Sequence, residues 1–494
     1  MVGWLSIVFV APAQASEPVE AGFRDVFFGS NCNSTPTGEK PESKLWFNDG
    51  YWWGSLCHSA TAQYRIYRFN LATQSWTDTG VAIDNRTGSK ADALWDQASQ
   101  KLYIVSHVFT TNGQPSSSSS NWGRLYRYSY DSANKMYSLD SGFPVNVTRG
   151  RSETLVVAKD STGQLWVTYV ESSQVMVNRS LGSDSVWGEP FVLPVEAGAI
   201  NVTSDDISSI IAFRGNQVGI MWSNQATNKE FNWATHNDAD ADGVWTLRRR
   251  NLPGPPCTEN CGDDHINLKA LHADSIGRVF AVIKTSVSAS NAPLIMLLVN
   301  STADDWSAHV FGRKQDAHTR PLLLIDEQNE DLYIFATTPE SGGAIYYKST
   351  DINNIQFAQG LGQPFIKSST DLTINNATST KQNVNNASGI LVLASDQNSK
   401  FYLHNYLSLG SSGSPPVANF SGSPSSGSAA LTVTFTDTST GSPTSWNWTF
   451  GDGASSTQQH PSHTYSTAGS YSVSLTASNP SGSDLETKTN FINV

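Results

Sequence analysis

The chain has 494 residues, of which 15% are charged, with 37 Gly and 21 Pro. That is the composition of strands and turns, not of a helix bundle. A net charge of -12 and a pI near 5.3 exclude a general nucleic-acid binder, because a polyanion would meet an acidic surface.

At the N-terminus, Leu5 to Ala11 is a short apolar run, and Ala13-Gln14-Ala15 fits a small-x-small cleavage site before Ser16. Residues 1–15 therefore read as an export signal, although the basic n-region is missing. The run is far short of the ~20 residues that span a bilayer, and no other segment is long and apolar enough, so no transmembrane segment is expected. Four cysteines fit an oxidising compartment. Local proximity favours Cys32–Cys57 and Cys257–Cys261. Cys257, Cys261 and His265 are also spaced four apart, as zinc ligands on a helix would be. Pro255, Pro256 and Gly262 argue against a helix there.

Seven stretches then read alike. Each opens with polar residues two apart, followed by an apolar run, a Gly/Asp/Asn turn and a second apolar strand. The openings are Lys44, then Lys90 and Asp92, Arg151 and Glu153, Asp206 and Ser208, His265 and Asn267, His318 and Arg320, and Lys381 and Asn383. Third strands follow at Tyr64, Gly123, Gln174, Ala292, Gly343 and Lys400. Aromatic residues mark fourth strands at Trp76, Tyr137, Trp187, Trp245, Trp306 and Phe357. Four short strands per unit of roughly 50–60 residues are the pattern of propeller blades. The seventh unit has three strands, so its fourth is expected from Asp25-Val26-Phe27-Phe28, which closes the ring and removes the sheet edges. Residues 16–409 are thus read as a seven-bladed β-propeller.

Within the fourth unit, Asp238-Ala-Asp240-Ala-Asp242-Gly243 has the alternating carboxylates and glycine of a calcium loop, with Arg249 where a twelfth-position Glu would stand. A structural Ca2+ is a candidate there; no cofactor is otherwise required. As a plain alternative the segment is an acidic hairpin turn.

Residues 410–416 (GSSGSPP) read as a linker. Beyond it, Trp446, Trp448 and Phe450 alternate on one strand face, and Gly451-Asp452-Gly453 makes a tight turn. His463-Thr464-Tyr465 and Gly469-Ser470-Tyr471 follow. This combination closely resembles the PKD domain, which implies an immunoglobulin-like β-sandwich over 417–494. The resemblance implies a spacer or weak binding module of a secreted or cell-surface protein. The aromatics read as its packed core.

The propeller region is similar to the sialidase-like and BNR-type propellers, through blade architecture and not through a catalytic motif. The resemblance implies hydrolases or polysaccharide lyases. A sialidase is not expected: only Arg151 and Arg320 open inner strands, and Asp160 to Trp166 only approximates the Ser-x-Asp-x-Gly-x-Thr-Trp box.

In such a ring the strand openings converge on one axial pocket, and i, i+2 pairs point to the same side. The ends of second strands add His107, Tyr169, Glu171, Trp222, Asn224 and Lys284. Carboxylates, imidazoles, cations and aromatics in one concavity suit a sugar; polar residues that merely line a solvated channel are the plain alternative. Uronate β-elimination needs a cation, from Arg320, Arg151 or Lys90, and a base, from His265, His318 or Tyr169. Hydrolysis needs two carboxylates, from Asp92, Glu153 and Asp206. The remaining residues, Lys44, Lys90, His107, Asp206, Trp222, Asn224, Asn267, Lys284 and Lys381, are expected to bind substrate. Histidine beside arginine tilts the reading to elimination. The sequence thus points to a secreted, polysaccharide-cleaving protein. Its rival is a non-catalytic surface or assembly protein that binds glycans or proteins.

Overall fold

The computed structural model describes residues 16–494, apart from 39, 227–228, 253–255, 258, 272–276, 302–304, 410–415, 442, 444 and 480–481. The expected export signal and most of the expected linker lie outside the described residues. The chain divides into two compact units, residues 1–409 and 410–494. Among the described residues no helix is long and apolar enough to cross a membrane.

The first unit is seven antiparallel sheets in chain order, each a strand meander. Their innermost strands are Leu45–Asn48, Ser89–Asp96, Val156–Lys159, Ser208–Phe213, Ile266–Ala270, Thr319–Asp326 and Ile374–Thr378; the sheets are called blades 1 to 7 in that order. Blade 7 has three strands of its own and is completed by the N-terminal strand Phe23–Phe27, which pairs with Phe401–Leu407. The ring is therefore closed by its two ends, as a seven-bladed β-propeller. Second and third strands pack neighbouring blades on both faces, so they read as unbroken apolar runs. In blade 5, every residue of Val279–Lys284 and Pro293–Asn300 is buried.

Three fourth-strand markers sit outside their strands; Trp245 directly precedes Thr246–Leu252 of blade 4, and the other two lie further off. Blades 3 and 6 end in Phe191–Val192 and Gln363–Ile366, some residues after Trp187 and Phe357. Trp187 instead donates from Nε1 to the Asp184 carbonyl in a turn, and Phe357 packs edge-on against Phe311. Both aromatics fill space between elements without belonging to a ladder.

Both disulfides favoured by proximity are present, Cys32–Cys57 and Cys257–Cys261. The first holds the leader between the closing strand and blade 1. That leader is further tied to blade 7 through Thr37 Oγ1 and Ser395 Oγ, 2.8 Å apart.

The second unit is a sandwich of two sheets. One holds Phe420–Ser423, Leu431–Asp437 and Ser462–Tyr465; the other holds Ser455–Ser456, Ser445–Thr449, Ser470–Asn479 and Gly482–Asn493. Trp448 and Phe450 are buried between them with Phe420, Phe435 and Tyr465, and Trp446 donates to Asp437 Oδ2 at 2.8 Å. Gly451 and Gly453 both have positive φ, 85° and 95°, which is why glycine flanks Asp452 in this turn.

Candidate functional site

The segments just before the inner strands of blades 3, 4 and 5 bring Glu153, Asp205 and Asp264 together, with one carboxylate oxygen of each within 4.8 Å of the others. The leader threads Lys40 into this group. Its ammonium bonds Glu153 Oε1 at 3.1 Å and also Asp264 Oδ2. His265 turns Nδ1 to Asp263 and to Asp264 Oδ1, the latter at 2.8 Å. Lys284 closes the cluster on Asp263 Oδ2 at 3.1 Å. His265 Nε2 is buried and has no hydrogen-bond partner among the described residues.

Four carboxyl groups thus share two ammonium groups. Their protonation is divided by environment. Burial would raise Asp264, but the adjacent His265 and Lys40 override it and hold the carboxyl far below its usual range. Asp205 moves the other way, through burial and then the charge of Asp264, and is raised. Glu171, at the end of a neighbouring strand, is raised by burial. Among the described residues, Asp263, Asp264 and His265 form a second group with cation-ligand spacing beside Glu153, Asp205 and Asp264.

Most of the remaining sequence-derived residues stand elsewhere. Lys44 is buried on Glu42 Oε2 at 2.6 Å and on the Ala91 carbonyl. His107 spans Glu42 Oε1 at 2.7 Å and the Ser152 carbonyl at 2.9 Å. Burial opposes ionisation of Glu42, yet Lys44 and His107 pull it far below the carboxylate range. Lys90 lies 4.2 Å over the Phe109 ring and reaches Thr35 Oγ1. Asp92 accepts from the Ser43 and Val157 amides at 2.8 and 2.9 Å and pairs with Lys381 at 2.7 Å. Asp206 accepts from Thr203 and from the Gln225 amide. Trp222 and Asn224 both donate to the Ala199 carbonyl, and Asn267 accepts from the Leu323 amide. Tyr169 is buried, its hydroxyl without a partner among the described residues and raised well above its usual range by burial.

Arg151 and His318 bond partners other than His265, and Arg320 Nε is buried without a hydrogen-bond partner among the described residues. Arg151 is exposed and bonds Asn121 Oδ1. His318 packs on Phe311 and bonds the Leu361 carbonyl at 3.1 Å. At Arg320 the backbone has a left-handed φ of 49°, and the ladder shifts register between Thr319 and Leu322. Such a bulge re-aims side chains and breaks the i, i+2 rule used to align them.

In the acidic loop, Asp238 accepts from Ser161, Asp240 from Asn237, and Asp242 pairs with Arg179 at 2.5 Å. Among the described residues, the acidic groups with cation-ligand spacing are those around Asp264.

A second feature was not anticipated from the sequence. A cavity of about 460 Å³ is lined by the ends of the inner strands of blades 2 to 5. Its wall carries Leu94, Asp96, Lys159, Ser209, Ile211 and Asn267, with Lys269 and Lys381 deeper. It opens where Ala98, Ser161 and Thr162 are exposed, at the strand ends opposite those that carry Glu153 and Asp264. Lys269 sits two residues after Asn267 on the same strand face, and that alternation was the available signal. Lys40 carried no such signal, since it lies in an irregular leader.

Among known proteins, the family model of the PKD domain matches residues 413–494. No curated protein matches the chain. The PKD1 domain of the Vibrio cholerae metalloprotease PrtV is 35% identical over 16% of this chain and 98% of that one, at a TM-score of 0.14. Over the propeller, the polysaccharide lyase Uly1 is 10% identical, covering 75% of this chain and 90% of that one at a TM-score of 0.43. The Penicillium chrysogenum α-L-arabinanase is 9% identical, covering 68% and 99% at a TM-score of 0.39. The C-terminal unit is a PKD domain, carried in one chain with a seven-bladed β-propeller.

Proposed function

We propose that this is a secreted, glycan-directed protein whose propeller hydrolyses a neutral polysaccharide, with the PKD domain as an accessory module. The observation that carries the reading is the meeting of Glu153, Asp205 and Asp264 within 4.8 Å, with Asp205 raised and Asp264 lowered in acidity range. Paired carboxyl groups pushed in opposite directions are the arrangement that glycosidic cleavage needs. Asp205 is the proton donor to the leaving oxygen. The Asp264–Glu153 pair supplies the carboxylate that faces the anomeric carbon. Oxygens within 4.8 Å of one another fall inside the ~6.5 Å or more that leaves room for a water between the two groups, which favours a carboxylate that attacks over one that activates water.

Elimination fits this mouth less well. A uronate must be neutralised by a cation, but Lys40 and Lys284 are already taken up by carboxylates, and the surplus acid repels an anionic chain. One observation does favour elimination. His265 has Nδ1 anchored on carboxylates and Nε2 without a partner, the orientation of a general base.

Purified protein is screened against neutral and acidic polysaccharides, following reducing ends and the ultraviolet absorbance of unsaturated products. Reducing ends without absorbance are expected, with Asp205→Asn slowing release by about 100-fold or more at nearly unchanged Tm, and Asp264→Asn slowing it as much while also lowering Tm, since its pairs with Lys40 and His265 are lost. Full turnover by both variants overturns the assignment. Unsaturated products lost in His265→Ala establish elimination instead. Affinity for a glycan without any product establishes a binding module.

A further inference from the structure

The cavity at the other end of the axis has a charge arrangement of its own. Its groups are compensated one by one. Lys159 pairs with Asp96 at 2.5 Å, and Lys381 with Asp92 at 2.7 Å. Asp160 accepts from the Thr162 amide and hydroxyl, the Gln164 amide and Trp166 Nε1, all at 2.8–2.9 Å. Lys269 is the exception. The residue is 2% exposed, and its ammonium donates to a single backbone carbonyl, that of Thr380, at 2.5 Å. No carboxylate pairs with it among the described residues; its charged neighbours are Lys381 and Asp92.

A buried ammonium without a counter-ion is costly, and an incoming anion relieves that cost. We propose that this axial cavity is a second binding site, for a small sugar acid whose carboxylate rests on Lys269. The volume of about 460 Å³ is within the range of small-ligand pockets and takes one or two sugar rings. Leu94 and Ile211 offer apolar wall to a ring face, while Ser209 and Asn267 offer polar groups to hydroxyls. Asn267 spends Oδ1 on the Leu323 amide, so its amide N–H groups are left to donate. Burial, and then the charge of Lys381, push Lys269 down to about 7, with Asp92 opposing. Binding of a carboxylate therefore restores the proton, and affinity follows the protonated fraction. The charged groups that share this cavity are Lys159, Lys381, Asp96 and Asp160, with Asp92 paired to Lys381.

Calorimetry of the full chain with D-glucuronate, D-glucose and acetate tests this. One-to-one binding of glucuronate is expected, at least about tenfold tighter than glucose or acetate, and weakening by about tenfold or more from pH 6.5 to pH 8.5. Lys269→Met should lose it, whereas Asp205→Asn, at the opposite mouth, should keep it. Ala98→Trp, on the exposed rim, leaves Lys269 intact and should also weaken binding, so the test stands even if Lys269→Met does not fold. No binding by the wild type overturns the proposal. So does unchanged binding by folded Lys269→Met or Ala98→Trp, equal affinity for acetate, or loss of binding in Asp205→Asn.

Discussion

Replacing Lys269 with methionine should change the pH dependence of propeller stability, and by an amount the structure sets. Unfolded, a lysine titrates near ~10.5; in the fold, burial and Lys381 bring Lys269 down to about 7. Between those values the unfolded chain holds a proton that the folded chain does not. Stability therefore rises with pH across that window, and the full penalty is present below it. At about 1.4 kcal/mol per pH unit, the whole gap corresponds to about 5 kcal/mol. Between pH 7 and pH 9.5, wild type should gain about 3 kcal/mol over Lys269→Met. The variant also strands the Thr380 carbonyl, a constant cost of about 1 kcal/mol that does not vary with pH. Urea unfolding of both proteins at half-unit intervals, read on the propeller transition, gives the difference directly. Taking the difference cancels every other titrating group. Parallel curves, with no relative gain above about 0.5 kcal/mol, would refute a buried, uncompensated Lys269.

Two further outcomes are expected. Cys57→Ser, which opens the 25-residue Cys32–Cys57 span, should cost the propeller about 3 kcal/mol and, by freeing the leader that carries Lys40, change product release more than the melting temperature alone predicts; identical behaviour of oxidised and reduced wild type in both assays contradicts this. In the PKD domain, Trp448→Ala removes a side chain with no exposure and should lower that domain's own transition by about 3–5 kcal/mol, while deletion of Ser411–Val494 leaves the propeller transition in place; loss of cooperative unfolding in the truncated chain would mean that the propeller does not stand alone.

The blades were legible because their signal is repeated. One ambiguous apolar run is weak evidence, but seven runs in register, six of them followed by an aromatic marker, specify the meander. The closing strand was legible for the opposite reason: blade 7 lacked a strand, and Phe23–Phe27 was the unclaimed extended segment near the expected position. The candidate site was legible only where strand alternation holds. It brought Glu153 and His265 to the same mouth, and it put Asp92 and Lys381 together in the interior. Alternation breaks at Arg320, where one left-handed residue before Pro321 shifts the ladder register. It also cannot choose between Asp205 and Asp206. One residue decides which carboxyl joins Glu153 and Asp264 and which caps its own loop, and loop geometry sets that choice. Lys40 was hidden because its partners are 113 and 224 residues away.

The polar residues between the two mouths explain why the sequence offered more candidate catalytic groups than the fold can use. Inner strands from seven blades meet at the axis, where backbone amides of one blade face another across a gap with little water. Asp92 satisfies amides from the leader and from blade 3 while pairing with Lys381, between the first and second strands of blade 7. Glu42 does the same for His107, Lys44 and the Leu155 amide. Removing either carboxylate strands several buried donors at once, each loss costing on the order of 1–3 kcal/mol. Substitutions at Asp92, Lys44 or His107 therefore abolish activity through the ring itself, whatever the chemistry at its mouths. Groups at the mouths, Asp205 at one and Lys269 at the other, have few such bonds to lose. Asp205→Asn tests the proposed cleavage at one mouth with little effect on the ring, whereas Lys269→Met at the other must be read against the stability change worked out above, with Ala98→Trp as its control.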